Sequence, residues 1–404
     1  MKSKIDKSIL LLGGSSYLIP LIRVCKKYGI KVYTADYLPD NIAHKYSDGY
    51  FNVSVVDKEA VLALAKYLNV DGINAFATDA GVISMAYVAE KLNLPCAGSY
   101  SAIDILQTKP KFREFLKSNG FNTPKFKGYK SITCAINEIQ DFNFPIMVKP
   151  SDSAGSKGIR KVSSINEFQD ACQFALKYSI KKEFIVEEFI EKIGCSSDTD
   201  CFSVDGKLKY FTTNSQYFDS SSPGEYAPCA YIYPSLYPEE VNVELKSELQ
   251  RLILLLGLKT SVYNVETRIG TDGRVYIMEF TPRGGGNRLS EMVRYAYGVD
   301  FIEATVLHSV GEDFNLSRMT PNKTLWTEII LHSPKSGVFE GIEIDEKISN
   351  FIIELDLLVK TGEEVEAFSS ANKMVGTAIL NITDINLFQY VRHNIHKLVQ
   401  VRVK

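Results

Sequence analysis

Short apolar runs and amphipathic stretches alternate from the start of the chain. SILLLGGSSYLIPLIRVCKKYGIKVYTADYLP reads as an apolar strand, a Gly turn, a helix with one apolar face and a second strand, which is a βαβ unit with parallel pairing. VDGINAFATDA, a helix through Leu92 and LPCAG continue the repetition, so an α/β domain is expected over residues 1–105. Further on, FPIMVKP and FIVEEFI read as strands with a helix at Ile165 to Tyr178 between them. NSQYFDSSSPGEYAPCAYIYPSLYPEE has no clear period and reads as a long loop, a class often functional in compact domains, and its tyrosines are candidates for a substrate pocket. The last part of the chain, with SGVFEGIEIDEKI and LVKTGEEVEAFSSANKMVGTAIL, reads as a β-rich appendage.

SVYNVETRIGTDGRVYIMEFTPRGGG carries the first candidate chemistry. Asp272-Gly273 between β-rich runs signals a two-residue type I′ hairpin. Closure by Thr271 and Arg274 would set Glu266 opposite Glu279 and Asn264 opposite Thr281, all on one face. Opposed like charges destabilise an antiparallel pair, and a cation removes the penalty. Hard divalent ions take one or two carboxylates plus substrate phosphates, so the pairing points to a metal–nucleotide site. The alternative is a solvated acidic face with Arg268 and Lys259 as counter-ions, and a one-residue bulge would break the register.

Upstream, Lys149 ends a strand and leads into the loop from Ser151 to Gly158, rich in Gly and Ser. Small residues let successive backbone N–H groups approach an anion, and Lys157 adds charge. The G-x-x-x-x-G-K-[ST] phosphate loop does not occur. At the amino end, Gly13-Gly14-Ser15-Ser16 can meet an anion at a helix N-terminus, but it lacks G-x-G-x-x-G. Asp36 reads as a strand-end residue, and Thr78-Asp79 as a helix cap. Both stand where open α/β sheets bind ligands.

Composition narrows the partners rather than the chemistry. The chain has 404 residues, 45% hydrophobic and 23% charged, with net charge −2, so small polar substrates are expected rather than nucleic acid or a membrane. Seven cysteines without a C-x-x-C pair indicate neither a disulfide framework nor a zinc site and fit a reducing cytoplasm. The apolar run after Lys2, Lys4 and Lys7 is too short for a signal peptide, and no stretch is long enough to span a membrane. None of the five histidines stands in a metal-ligand spacing.

In this order and spacing the segments resemble the ATP-grasp superfamily, over nearly the whole chain. The resemblance implies an α/β and α+β fold: a Rossmann-like domain at 1–105, a linker helix and lid at 106–187, a central antiparallel domain at 188–320 and a β-rich appendage at 321–404. It implies that Lys109, in TKPKFREFLKSNG, and Lys149 hold the α/β-phosphates. Ser151, Ser153, Gly155, Ser156 and Gly158 belong to a loop over the γ-phosphate, and Glu187, Glu188 and Ile190 to the adenine hinge. Glu266, Glu279 and Thr281 form the metal set, and Arg283 holds the carboxylate or acyl phosphate, its fork suiting two oxygens at once. Arg288 and Arg294 are weaker candidates.

Two departures stand out: Thr281 replaces the family's usual asparagine, and Ser196 stands where a ribose-contacting glutamate is usual. The implied cofactors are ATP and Mg²⁺, with Mn²⁺ as a substitute. The implied activity is carboxylate activation for attack by an amine or other nucleophile, with ADP and phosphate released. Its partners are small carboxylate and amine substrates, with a homodimer left open. Purine-pathway or biotin-carboxylase-like chemistry, nucleotide binding without turnover and, from the first βαβ unit alone, a nicotinamide oxidoreductase are the alternatives.

Overall fold

The computed structural model describes residues 4–153, 155–320 and 323–404. Ser8–Leu12 (β1), Lys31–Asp36 (β2), Gly49–Asn52 (β3) and Gly72–Asn74 (β4) form a four-stranded sheet, order β3-β2-β1-β4, with β1 parallel to both neighbours. β1 is apolar throughout because both of its faces are covered. Ile9 and Leu11 pack with Leu21 and Ile22 of the helix Ile19–Tyr28, and Leu10 and Leu12 with Val82 and Met85 of the helix Asp79–Leu92.

The second unit is a four-stranded antiparallel sheet, order β5-β8-β6-β7, of Phe126–Tyr129 (β5), Ile146–Pro150 (β6), Arg160–Val162 (β7) and Phe184–Glu188 (β8). The helix Ile165–Tyr178 lays Phe168, Ala171, Cys172 and Ala175 on it, at the spacing of one helical face.

Ser197–Val204 (β9), Lys207–Tyr210 (β10), Ser215–Phe218 (β11), Pro228–Tyr233 (β12), Ser261–Ile269 (β13) and Val275–Thr281 (β14) follow. β9, β10, β13 and β14 make an antiparallel sheet, order β10-β9-β13-β14. The stretch expected as a long loop thus contains two strands, β11 and β12, with loop between and after them. Cys229 to Tyr233 is a buried apolar run, and it pairs with a later part of the chain that local periodicity does not register.

That later part contributes Leu325–Leu331 (β15), Gly337–Ile344 (β16), Ile352–Leu357 (β17), Glu364–Val365 (β18), Gly376–Ile382 (β19) and Val399–Val403 (β20). It is β-rich as expected, but it also shares a five-stranded sheet, β11-β12-β15-β19-β17, with the central strands. β18-β16-β20 form a separate three-stranded sheet, which packs on the five-stranded one through Phe339, Val365 and Val399. No helix of the described residues is long and apolar enough to cross a membrane.

The β13–β14 hairpin differs from expectation at its turn and agrees at its carboxylates. Gly270 N–H donates to Arg274 O at 2.9 Å, Gly273 N–H to Gly270 O at 2.9 Å, and Gly273 has φ +77°. Thr271-Asp272-Gly273 is therefore a three-residue loop with a left-handed glycine, another common hairpin closure. Near the turn this shifts the pairing by one residue, to Thr267 with Ile277 and Arg268 with Tyr276. A bulge that leaves Met278 as the extra residue restores it, so Glu266 faces Glu279 and Asn264 faces Thr281.

The seam between the first and central units has no room for a side chain at Gly284. A Cβ there would lie 2.1 Å from the Phe76 ring, while Ala77 N–H donates to Gly284 O at 3.0 Å. Gly284→Ala should therefore cost about 1–3 kcal/mol in overpacking. Adding Phe76→Leu should recover part of it, read as non-additive denaturant midpoints beyond about 0.5 kcal/mol.

Candidate active site

Strand register assembles a polar row across the molecule. Glu279 on β14, Glu266 on β13 and Asp198 on β9 occupy directly paired positions. Asp198 Oδ2 accepts from Tyr231 Oη at 3.1 Å and from Gln216 Nε2 at 3.5 Å. Gln216 and Tyr231 face each other on β11 and β12, and Tyr231 faces Glu328 on β15. The row therefore runs from one sheet into the next. One rung along lie Thr281, Asn264 and Asp200. Asp200 accepts from Gly285 N–H and the Ser290 hydroxyl, anchoring the Gly284–Gly286 turn.

Crowding of acids perturbs their protonation. Burial, and then the neighbouring Glu266, push the Asp198 carboxyl up to about 8. Burial, and then Glu279, raise Glu266. Asp200 reaches about 6 because burial outweighs its bonds to Ser290 and Gly285. Glu328 is fully buried with neither carboxylate oxygen hydrogen-bonded, and burial lifts it well above the carboxylate range.

Lys109 and Lys149 line the same cavity as this row. Lys109 opens the helix Lys109–Ser118, with Nζ 3.5 Å from Glu279 Oε1 and donating to Ser153 O at 2.6 Å. Lys149, at the end of β6, pairs with Glu187 Oε2 at 2.5 Å, while Arg113 Nε holds Glu187 Oε1 at 2.6 Å. Burial alone would raise Glu187, but Arg113 and Lys149 outweigh it and hold it at about 2. The Glu187 side chain therefore fixes Lys149 rather than facing the cleft freely. Glu188 also turns its carboxylate away, accepting from the Asn143 backbone N–H at 2.9 Å.

Two adjoining cavities, of about 610 and 280 Å³, form the cleft between the units. The smaller is lined by Met147, Lys149, Glu187 to Ile190, Met278, Glu266 and Asp198, and the larger by Ser15, Ser16, Thr78, Glu279, Thr281 and Met374, among others. Lys109, Ser153, Gly155 and Glu279 line both.

Ser156 lines the smaller cavity, its hydroxyl donating to Tyr226 O at 2.9 Å. Ser151 and Gly158 lie outside the lining. Ser151 is buried where its carbonyl accepts from Lys109 N–H, and a Cβ on Gly158 would meet Pro150 at 2.7 Å. Ala154, within this loop, lies outside the described residues. Ser196 is likewise buried, its carbonyl bonded to Gln216 N–H.

Arg283 lines the smaller cavity, and its Nε and Nη2 donate to Asp79 Oδ1 at 2.9 and 2.7 Å. Neither Thr78 nor Asp79 caps the helix as expected, because Asp79 turns to this guanidinium and the Thr78 hydroxyl bonds Phe76 O. Asp36 accepts from Leu38 N–H and Asn41 Nδ2 and holds the turn after β2. Arg288 is enclosed by Glu291, Glu354 and Asp356, and the half-exposed Arg294 pairs with Asp300. Arg268 does lie 4.0 Å from Glu266, whereas Lys259 belongs to a turn bonded to Ala97.

Arg113, Asp198 and Gln216 are absent from the sequence candidates. Asp198 and Asp200 had a legible signal, since acids two apart on a strand share a face, but the facing strand was not known. The donor set suits a hard divalent cation. Two opposed carboxylates share the cleft, and among the described residues no group of three or more acidic, His or Cys side chains is placed to hold a metal. Two protein carboxylates, with phosphate and water completing the shell, is how Mg²⁺ is usually held.

Residues 142–291, which include both opposed carboxylates and Lys149, match the family model of the ATP-grasp domain. The chain carries an ATP-grasp domain. Its similar curated relatives include the carbamoyl phosphate synthase large chain of Thermoanaerobacter sp. (strain X514), 24% identical over 66% of this chain. The chain spans about a quarter of that protein's length, 24%. Among solved structures, an L-amino acid ligase from Bacillus licheniformis superposes with TM-score 0.80 at 18% identity, covering 100% of both chains. Phosphoribosylglycinamide synthetase from Anaerococcus prevotii follows at 0.74 and 22%, covering 98% of this chain and 100% of the other.

Glu328 gives this architecture a pH signature. Its folded carboxyl is raised, so it folds protonated, and stability falls as pH rises above the unfolded glutamate value toward the folded one. Glu328→Gln removes that titration. The stability of the variant relative to wild type should rise between pH 5 and pH 8, by at most about 1.4 kcal/mol per pH unit. Denaturant midpoints across the range check it, and a pH-independent difference would refute it.

Proposed function

We propose that this chain is an ATP-dependent ligase that activates a small carboxylate as an acyl phosphate for attack by an amine. The observation that carries the reading is the opposition of Glu266 and Glu279 in a cleft that also holds Lys109, Lys149 and Arg283. The full-length likeness to an L-amino acid ligase supports it.

Glu266 and Glu279 would hold Mg²⁺, which neutralises phosphate charge when bound. Lys149, fixed by Glu187, and Lys109, released from Glu279, hold the α/β-phosphates. Gly155, where a Cβ would meet nothing within 4 Å and φ is +66°, lets the loop backbone approach the γ-phosphate. Adenine lies along Glu188 to Ile190.

A substrate carboxylate oxygen, held by Arg283, attacks the γ-phosphorus, and the bond to the β-phosphate oxygen breaks to release ADP. The amine nitrogen then attacks the acyl carbon, phosphate leaves with the C–O bond pair, and the nitrogen's proton passes to water. Positioning and charge stabilisation supply the rate, with no covalent protein nucleophile.

Glu279→Gln and Glu266→Gln keep the shape and lose the charge, so each should lower turnover by at least about a hundredfold. Retained activity with unchanged metal dependence in both would overturn the reading. Arg283→Lys replaces a two-toothed fork by a point charge and should slow turnover while nucleotide affinity changes little. Chromatography of the spent nucleotide should show ADP, and AMP as the main product would refute the acyl-phosphate route.

A further inference from the structure

Beyond the carboxylate pair, the polar row continues into a part of the cleft that nothing above employs. Asp198 is bonded by neutral groups: Asn264 Nδ2 at 2.8 Å on Oδ1, Tyr231 Oη and Gln216 Nε2 on Oδ2. No cation is paired with it among the described residues, although buried carboxylates are ordinarily paired with one.

Gln216 supplies an independent observation. Its side chain is 3% exposed and lines the smaller cavity, its Nε2 is committed to Asp198, and its Oε1 has no partner. Gln216 Nε2 donates to Asp198 in its ionised form, the form that a cation bound beside it favours against the burial and the Glu266 charge that raise this carboxyl. Tyr231 Oη donates to Asp198 and accepts from Asn287 Nδ2 at 3.1 Å. The unpartnered Gln216 Oε1 calls for a donor, and Asp198, met only by neutral groups, favours one that carries positive charge.

Phe218, Tyr226 and Pro228 line the same cavity. An apolar rim suits an organic body rather than a hydrated ion.

We infer that Asp198 and Gln216 bind the ammonium group of the amine substrate, whose apolar body rests against Phe218, Tyr226 and Pro228. This rests on the ligase reading for its role and on the cavity for its chemistry. It places the nitrogen on the strand beside Glu266, on the side away from Glu279, where the ammonium gives one proton to water and then, as the free amine, attacks the acyl carbon. Asp198 and Gln216 are then specificity-determining residues that select a primary amine with an apolar substituent.

A binding measurement tests the site without requiring turnover. Saturation-transfer NMR on the full chain, with Mg²⁺ and a non-hydrolysable ATP analogue, would compare n-butylamine and L-leucinamide with the neutral isostere n-butanol. The expected result is binding of at least one amine and not of the alcohol, weakened at least about tenfold in both Asp198→Asn and Gln216→Leu. Equal amine binding in wild type and both variants overturns the assignment, as does absence of binding by either amine. A change in Mg²⁺ half-saturation in Asp198→Asn with amine binding intact would make it a metal ligand instead. Failure of ADP release with every carboxylate tried would count against the ligase reading alone, because the amine signal is read separately.

Discussion

The opposition of Glu266 and Glu279 across adjacent strands is the constraint around which the cleft is organised. Two carboxylates at directly paired positions repel, and the fold adds Asp198 as a third. Such a row persists only where surrounding groups compensate it. The protein supplies Lys109 at Glu279, Arg268 near Glu266 and neutral donors at Asp198, and a divalent ion and substrates complete the balance in the proposed reaction.

Two cations of the site are held in a similar way, each by a carboxylate outside the proposed metal pair. Lys149 is fixed by Glu187, which Arg113 steadies from the other side, and Arg283 by Asp79. A long flexible side chain held in place loses less freedom when it meets phosphate. The Arg283–Asp79 pair also crosses from the central unit to the first, so the guanidinium is placed by a contact between the two units. Gly284, pressed against Phe76, allows that approach.

The hairpin shows how a local error and a correct site can coexist. Asp272-Gly273 suggested a two-residue turn, whereas the chain closes at Gly270 and Arg274. Taken alone, that loop would have slipped Glu266 off Glu279, and the bulge at Met278 cancels the slip. Turn chemistry is legible from a dipeptide, but a bulge is chosen by packing on both faces of the strand, which the dipeptide does not contain.

The sequence by itself determined the elements whose periodicity is strong and local: the β1 run, the helix faces at Ile19–Tyr28 and Ile165–Tyr178, and the order of lysines, glycine loop and carboxylates. That order suffices for the fold class because each segment carries its own signal. Tertiary structure alone decided which residues share the cleft. Arg113 meets Glu187, Asp79 meets Arg283, and Asp198 meets Gln216 and Tyr231 across separations in the chain that no local pattern spans. It also decided that Pro228–Tyr233 is a strand, because its partner Leu325–Leu331 lies far along the chain. Register between strands distant in sequence is fixed by burial of whole faces, a property of the assembled sheets and not of any one segment.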